Sequence, residues 1–255
     1  MTHSIVLERH GRLASISIRR PPLNILDLGT ITELRRCLAE LMVDSELQLL
    51  TLQGAGEKAF SAGVAVEDHS PAKVPLMLRE FHGAISILRE MPAVTLAVVQ
   101  GHCLGGGMEL AAGCDLIVAS DDSRFGQPEI KLGCFPPLAA ALYPSVLGAG
   151  RTFDLLLTGR TVTCKEALEM GFVHRCVPAA DLESTLNKIV EAITDHSLIV
   201  SRLTKRAIRA GVAHSYTEAL ALTEQIYLEE LAETEDMQEG LTAFMEKRPP
   251  EWNHR

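Results

Sequence analysis

Polar and apolar residues alternate over two short runs, 5–10 and 13–19, which meet at Gly11 and predict a β-hairpin with Ile16 and Ile18 on one face. The Pro21-Pro22 pair ends the second strand. The period then lengthens. Leu28, Ile31, Leu34, Leu38 and Leu41 recur at three- and four-residue steps and predict a helix over 27–43. A short buried strand is expected over 47–52, and a second helix over 74–89, stopped by Pro92. The run VTLAVV at 94–99 is apolar throughout, the pattern of a strand buried on both faces. It leads into a glycine-rich stretch at 101–107, a helix start at 108–112 and another buried strand at 116–119. Strand–helix–strand alternation over 1–120 predicts a layered α/β core. Beyond 136 the pattern is helical over 138–147, 152–157, 165–170, 181–193, 198–210 and 216–244, with only 173–177 strand-like. The last stretch is long and acidic, suited to folding back on its own core or packing on a partner subunit.

At 255 residues the chain suits one large domain, or one domain with a helical appendage. Net charge of −9 and an aromatic content of only 4% argue against a nucleic-acid partner. No apolar run approaches the ~18–20 residues of a membrane span, and the first residues lack the apolar region of a secretory signal. A cytoplasmic location with no membrane partner is therefore expected. Cys37, Cys103, Cys114, Cys134, Cys164 and Cys176 form no C-x-x-C pair and sit mostly in apolar segments, so they read as reduced core thiols, with no metal site expected.

Three segments carry candidate chemistry. In GHCLGGGMEL (101–110) a buried strand ends, three glycines follow and a helix begins. Such glycines either serve a tight turn or let a ligand approach unpaired backbone N–H groups. Glu109 lies among Met108, Leu110 and Ala111, and either offsets the helix dipole on a solvated face or is a functional carboxyl group. In RFGQPEIKL (124–132), Pro128 suits a helix start and Glu129 follows it. In AFSAGVAVEDH (59–69), Gly63 stands in a small-residue loop after a buried strand. Ser61 lacks the G-x-S-x-G elbow of a serine hydrolase. His102 reads as a structural histidine, and Lys247 and Arg248 as either solvated tail charges or contacts to the phosphates of a ligand. Together the segments offer two loops of backbone donors and two carboxyl groups, the parts needed to stabilise an enolate and move protons.

These motifs resemble the enoyl-CoA hydratase/isomerase, or crotonase, family. The resemblance rests on FSAG (60–63), GHCLGGGMELAAGCDL (101–116), RFGQPEIKLG (124–133), the stretch 155–178 and the FMEKRPPEW tail (244–252). It implies an α/β crotonase-like ββα spiral core over 1–197 and a C-terminal helical trimerisation region over 198–255, assembled as a homotrimer or a hexamer. It implies that the backbone N–H groups of Val64 and Gly106 hold the thioester oxygen, and that Glu109 and Glu129 position and activate water. Leu23, Ile25, Ala62, Gly63, Val66, Gly105, Phe135 and Pro136 would line the substrate path. Retention of both glutamates favours a hydratase of an α,β-unsaturated acyl-CoA, with coenzyme A as part of the substrate and no separate cofactor. The family's isomerases, thioester hydrolases and decarboxylases, and a catalytically idle coenzyme A binder, are the alternatives. Two departures from the common hydratase pattern stand out: Ala65 where many members carry Asp, and Cys134-Phe135-Pro136-Pro137-Leu138-Ala139-Ala140 where many carry Gly-Gly-Thr. Both are similar to the cyclohexa-1,5-diene-1-carbonyl-CoA hydratases, which makes a cyclic dienoyl-CoA a candidate substrate.

Overall fold

The computed structural model describes residues 3–255. In chain order, β1 (Ile5–His10) and β2 (Leu13–Ile18) form the expected hairpin, followed by α1 (Leu28–Met42). Then come β3 (Leu49–Gly54), the short β4 (Ala59–Ser61) and α2 (Val74–Glu90). β5 (Val94–Val99) leads through β6 (His102–Leu104) into α3 (Gly106–Ala112). β7 (Leu116–Ser120) and β8 (Arg124–Gly126) precede a 3₁₀ turn, Pro128–Leu132, and then α4 (Pro137–Leu147) and α5 (Ala149–Thr158). β9 (Thr161–Thr163), α6 (Cys164–Glu169) and β10 (Arg175–Val177) complete the sheets. The C-terminal part is α7 (Leu182–Thr194), α8 (Leu198–Ala213), α9 (Tyr216–Glu229) and α10 (Glu235–Glu246).

The strands form a six-stranded sheet, β1-β2-β3-β5-β7-β10, and a four-stranded sheet, β4-β6-β8-β9. Only the β1/β2 and β8/β9 pairs are antiparallel. The chain steps three times from the large sheet to the small one and then into a helical turn: β3 to β4, β5 to β6, β7 to β8. This is a ββα spiral, as the motif resemblance implied.

Burial explains the elements. α1 turns Ile31, Leu34, Leu38 and Leu41 inward, and the Asp27 side chain caps it by accepting the Thr30 N–H at 2.8 Å. α2 buries Met77, Phe81, Ala84, Ile85 and Leu88. In β5 the residues alternate between two cores. Ala97 and Val99 face the main one, while Leu96 and Val98 face a smaller one beneath α7. That is why 94–99 is apolar on both faces.

Three expectations are corrected. The short strands of the small sheet escape the sequence pattern, because three residues are too few for alternation to show. The helix expected over 216–244 is broken. Thr234 caps a new helix by accepting the Met237 N–H at 3.2 Å, and buried Asp236 holds the tail through the N–H groups of Asn253 (2.7 Å) and His254 (2.9 Å). Finally, the cysteines are not all reduced thiols. β10 beside β7 brings Cys176 to the start of α6, where it is disulfide-bonded to Cys164 across a Cα separation of 6.0 Å.

α8 is tied to the core by polar contacts. Buried Lys205 donates to the Ala93 carbonyl at 2.7 Å and pairs with Asp115 at 2.6 Å, and Arg209 reaches the same carboxylate at 2.6 Å. No described helix is long and apolar enough to cross a membrane.

Candidate active site

β4, β6 and β8 are parallel neighbours, so the segments that follow them leave the small sheet along one edge. Those segments carry Gly63-Val64, Gly105-Gly106 and Gln127-Pro128-Glu129. The topology thus collects all three chemistry-bearing motifs, which lie tens of residues apart in sequence.

The first loop is fixed on both sides. Ala62 N–H donates to the Leu23 carbonyl (2.9 Å), Leu26 N–H to Gly63 (2.9 Å) and Ala65 N–H to Leu26 (3.0 Å). The buried Ser61 hydroxyl donates to the Asn24 carbonyl at 2.8 Å and accepts the Gly63 N–H at 3.1 Å. Gly63 adopts φ +103°, a conformation open to glycine. A Cβ there would stand 3.0 Å from the Leu104 carbonyl oxygen and 3.2 Å from the Gly106 nitrogen. A Cβ on Gly106 would in turn lie 3.3 Å from the Val64 nitrogen. The two amides are therefore neighbours, and among the described residues neither donates to a protein acceptor. Two adjacent free N–H groups are the kind of donors that can hold an oxygen gaining negative charge.

Glu109 stands in the first turn of α3 with 4% exposure, which removes the solvated-face reading. Its Oε1 accepts the Ala139 N–H at 2.8 Å, at the start of α4. Burial pushes its pKa up to about 7, the Ala139 N–H opposes that shift, and the Glu129 charge adds to it. The Pro136–Ala139 segment, a departure from the common hydratase pattern, thus supplies a donor to one of the two acids.

Glu129 sits in the 3₁₀ turn after β8. Gly105 has φ +52°, and a Cβ on it would lie 2.8 Å from Glu129 Oε1. The carboxyl group therefore rests against bare glycine backbone, one residue from the Gly106 amide. Burial pushes its pKa up to about 7 as well. Two acids held near neutrality, each in a different hydrogen-bonding environment, can exchange roles as acid and base at ordinary pH.

The remaining motif positions divide. Ala62, Gly63 and Gly105 lie in the loops, buried Pro136 caps α4, and Leu23 and Ile25 lie in the segment zipped to the first loop. Val66 and Phe135 are exposed, Phe135 by 67%. Arg248 is already paired with Glu239 and Glu246. His102 is exposed, and Cys103 is fully buried. A cavity of about 640 Å³ between α8 and the core, lined by Leu142, Phe172, Lys205 and Ile208 among others, includes neither glutamate. Sequence reasoning missed three contributors: the Ala139 amide, the Ser61 hydroxyl as a loop clamp, and buried Gln127 beside Glu129. The FGQPE motif was a signal for Gln127, whereas Ala139 had none.

Glu109 has a consequence for stability. A carboxyl group raised from 4.5 to about 7 binds more protons folded than unfolded between those values, so its contribution to stability falls as pH rises through that window. Glu109→Gln keeps an acceptor for Ala139 and removes the buried charge. The variant is expected to be more stable than the parent at pH 8 by about 1–3 kcal/mol, with the gain vanishing near pH 4.5. Urea unfolding at the two pH values checks this, and equal stability at pH 8 contradicts it.

Comparison with known proteins agrees with the geometry. The family model described as Enoyl-CoA hydratase/isomerase matches residues 8–255. The chain is 37% identical over 250 residues to the cyclohexa-1,5-dienecarbonyl-CoA hydratase of Thauera aromatica, covering 98% of this chain and 96% of that one. It is 33% identical over 254 residues to the short-chain-enoyl-CoA hydratase of Clostridium acetobutylicum, covering 96% of each. Among solved structures, the enoyl-CoA hydratase from Bacillus anthracis superposes with a TM-score of 0.94 at 31% identity, covering 99% of this chain and 100% of that one.

Proposed function

The chain belongs to the enoyl-CoA hydratase/isomerase family, and from that membership we propose that it adds water across the double bond of an α,β-unsaturated acyl-CoA. The observation that carries this reading is the placement of two acids, both raised to about 7 by burial, beside the Gly105-Gly106 turn: Glu109 in the first turn of the helix that Gly106 opens, and Glu129 with its carboxyl group against Gly105. In the proposed step the two N–H groups hold the thioester oxygen as it becomes an enolate. Two nearby carboxyl groups hold one proton between them, since ionising both is unfavourable. The ionised one takes a proton from water as the water oxygen bonds to the β-carbon. The protonated one delivers its proton to the α-carbon as the enolate collapses. One acid gains a proton and the other loses one, so the pair is restored by a single exchange.

The substrate proposed is a cyclic dienoyl-CoA. Ala65 and the Cys134–Pro136 segment support it, as does the 37% identity to a hydratase named for such a substrate. Leu23, Ile25, Ala62, Gly63, Val66, Gly105, Phe135 and Pro136 are assigned to the substrate path, with coenzyme A entering as part of the substrate. A panel of linear and cyclic enoyl-CoA thioesters, read by product mass, tests this. A water adduct formed fastest from cyclohexa-1,5-diene-1-carbonyl-CoA is expected. An isomer of unchanged mass, or a free acid, would favour the family's other activities.

We also propose that 198–255 forms the contact region of a homotrimer or hexamer. Ile208, Val212, Tyr216, Leu228, Leu241, Phe244 and Met245 are large apolar side chains left exposed in α8 to α10, Phe244 by 84%. Sedimentation velocity is expected to show a trimer or hexamer, and Phe244→Glu with Met245→Glu to weaken it. A monomeric parent protein contradicts the assignment.

A further inference from the structure

The first loop is zipped to the segment before α1, with Leu23 to Leu26 on one side and Ala62 to Ala65 on the other. Val64 lies inside this zip. Its N–H shares one planar peptide group with the Gly63 carbonyl, which accepts the Leu26 N–H at 2.9 Å. The direction of the Val64 N–H is therefore set by where Leu26 stands. Beyond Ala65 the two backbones part: Val66–His69 forms a 3₁₀ turn, and Leu28 opens α1. The Leu28 N–H is one of the first donors of a helix, which have no partner within it. Asp27 caps the Thr30 N–H rather than this one. Asp68, in the 3₁₀ turn and only 4% exposed, takes it: its Oδ2 accepts the Leu28 N–H at 2.8 Å. Its Oδ1 accepts from Lys73 at 2.8 Å, and its own N–H donates to the Ala65 carbonyl at 3.1 Å. The Asp68 side chain thus continues the zip past the point where the backbones separate.

We propose that Asp68 is a positioning residue which, through its bond to the Leu28 N–H, fixes Leu26 against the loop and so holds the Val64 amide in line with the thioester oxygen. The inference rests on the hydratase reading for its catalytic meaning, and on these hydrogen bonds for its physical content. A buried carboxylate is costly unless it is paired, and Asp68 is paired at both oxygens. The Lys73 ammonium holds its carboxyl below the usual range and the Leu28 N–H assists, while burial and the nearby Asp27 charge oppose them. Asp68 therefore stays ionised near neutrality. Lys73 is half exposed, which weakens the ion pair, whereas the Leu28 bond joins two backbone segments. The residue before Val64 adds to the need for such a bond. Gly63 has no side chain to restrain it, so the stiffness of the loop comes from its hydrogen bonds to neighbouring segments.

The test reads the thioester carbonyl itself. Cyclohexanecarbonyl-CoA, a saturated thioester with no double bond to hydrate, is labelled with ¹³C at the carbonyl, and its infrared band is compared free and bound. Two N–H donors polarise the carbonyl and lower its frequency, so the parent protein should shift the band down. In Asp68→Ala a smaller downshift is expected. With an enoyl-CoA, kcat should fall about 10–100-fold while KM stays within a few-fold, because a misplaced donor is felt most in the transition state. Leu28→Pro removes the same bond from its other end. Leu28 is the first residue of α1, and Asp27 before it is extended at ψ 167°, so proline fits there. It should reproduce the smaller downshift, and combining it with Asp68→Ala should add nothing. Lys73→Met spares the Leu28 bond and should leave band and turnover close to the parent's. An unchanged band in folded Asp68→Ala, an equal loss in Lys73→Met, or a parent protein that shifts no band overturns the proposal. If Asp68→Ala does not fold, Leu28→Pro decides: a smaller downshift supports the proposal and an unchanged one overturns it. A band that responds to Asp68→Ala in a protein that hydrates no enoyl-CoA supports the positioning role and refutes the hydratase reading, so the two failures are separable.

Discussion

Glu129→Gln and Glu109→Gln are each expected to lower kcat by about 10²–10⁴, the range associated with loss of a general acid or base. The double variant should be little worse than the poorer single one, because either substitution stops the same proton exchange. Glutamine preserves the shape of both side chains, and at Glu109 it preserves the acceptor for the Ala139 N–H. Neither change touches the Val64 and Gly106 amides, so binding of the thioester should survive. Steady-state kinetics combined with calorimetric titration of a product analogue separates the two effects. Either single variant keeping turnover within a few-fold of the parent contradicts a two-acid mechanism, and multiplicative losses contradict a shared water.

The second large effect concerns the Gly106 amide. Sequence reasoning alone attributes the need for glycine at 106 to a conformation barred to other residues, or to space for the thioester oxygen. The structure corrects the first of these and adds a steric reason. Gly106 is not among the positive-φ glycines, and a Cβ there would strike the Val64 side chain (Cγ2 at 2.8 Å) and crowd Phe81 (Cζ at 3.1 Å). Val64→Ala removes the tighter obstruction and keeps the Val64 N–H, so it is expected to leave turnover largely intact. In that background Gly106→Ala retains both amides, whereas Gly106→Pro adds a ring and removes one. Proline is tolerated at the first position of a helix, which Gly106 occupies in α3. The proline variant is therefore expected to turn over about 10²–10³ more slowly than the alanine one, equivalent to roughly 3–4 kcal/mol for a lost oxyanion donor. Thermal melting of both variants checks that they are folded. Equal turnover in the two folded proteins would remove the amide from the mechanism.

How much of this was legible depended on the length of each signal. The hairpin, α1, α2 and β5 carry apolar patterns of six residues or more, and these appear where the pattern puts them. The small sheet was invisible: Ala59–Ser61, His102–Leu104 and Arg124–Gly126 are three-residue strands, too short for alternation to show. Yet that sheet is what aligns Gly63, Gly105 and Glu129 along one edge. Glu109 and Glu129 could be nominated from their motifs, but position alone left a dipole-compensating role open for Glu109. Only burial and the Ala139 contact decided it. The disulfide was hidden for a similar reason, because Cys164 and Cys176 meet through the pairing of β10 with β7.

In the proposed reaction Glu109 and Glu129 add solvent water to an enoyl thioester held by the Val64 and Gly106 amides. Turnover of cyclohexa-1,5-diene-1-carbonyl-CoA and of a linear enoyl-CoA in H₂¹⁸O, followed by mass spectrometry of the intact acyl-CoA, tests it most directly. A hydroxyacyl-CoA carrying one ¹⁸O is expected from the parent protein, lost in parallel in the Glu109→Gln and Glu129→Gln variants. Products without ¹⁸O in an intact thioester, or ¹⁸O incorporation that persists when both glutamates are replaced, would contradict it.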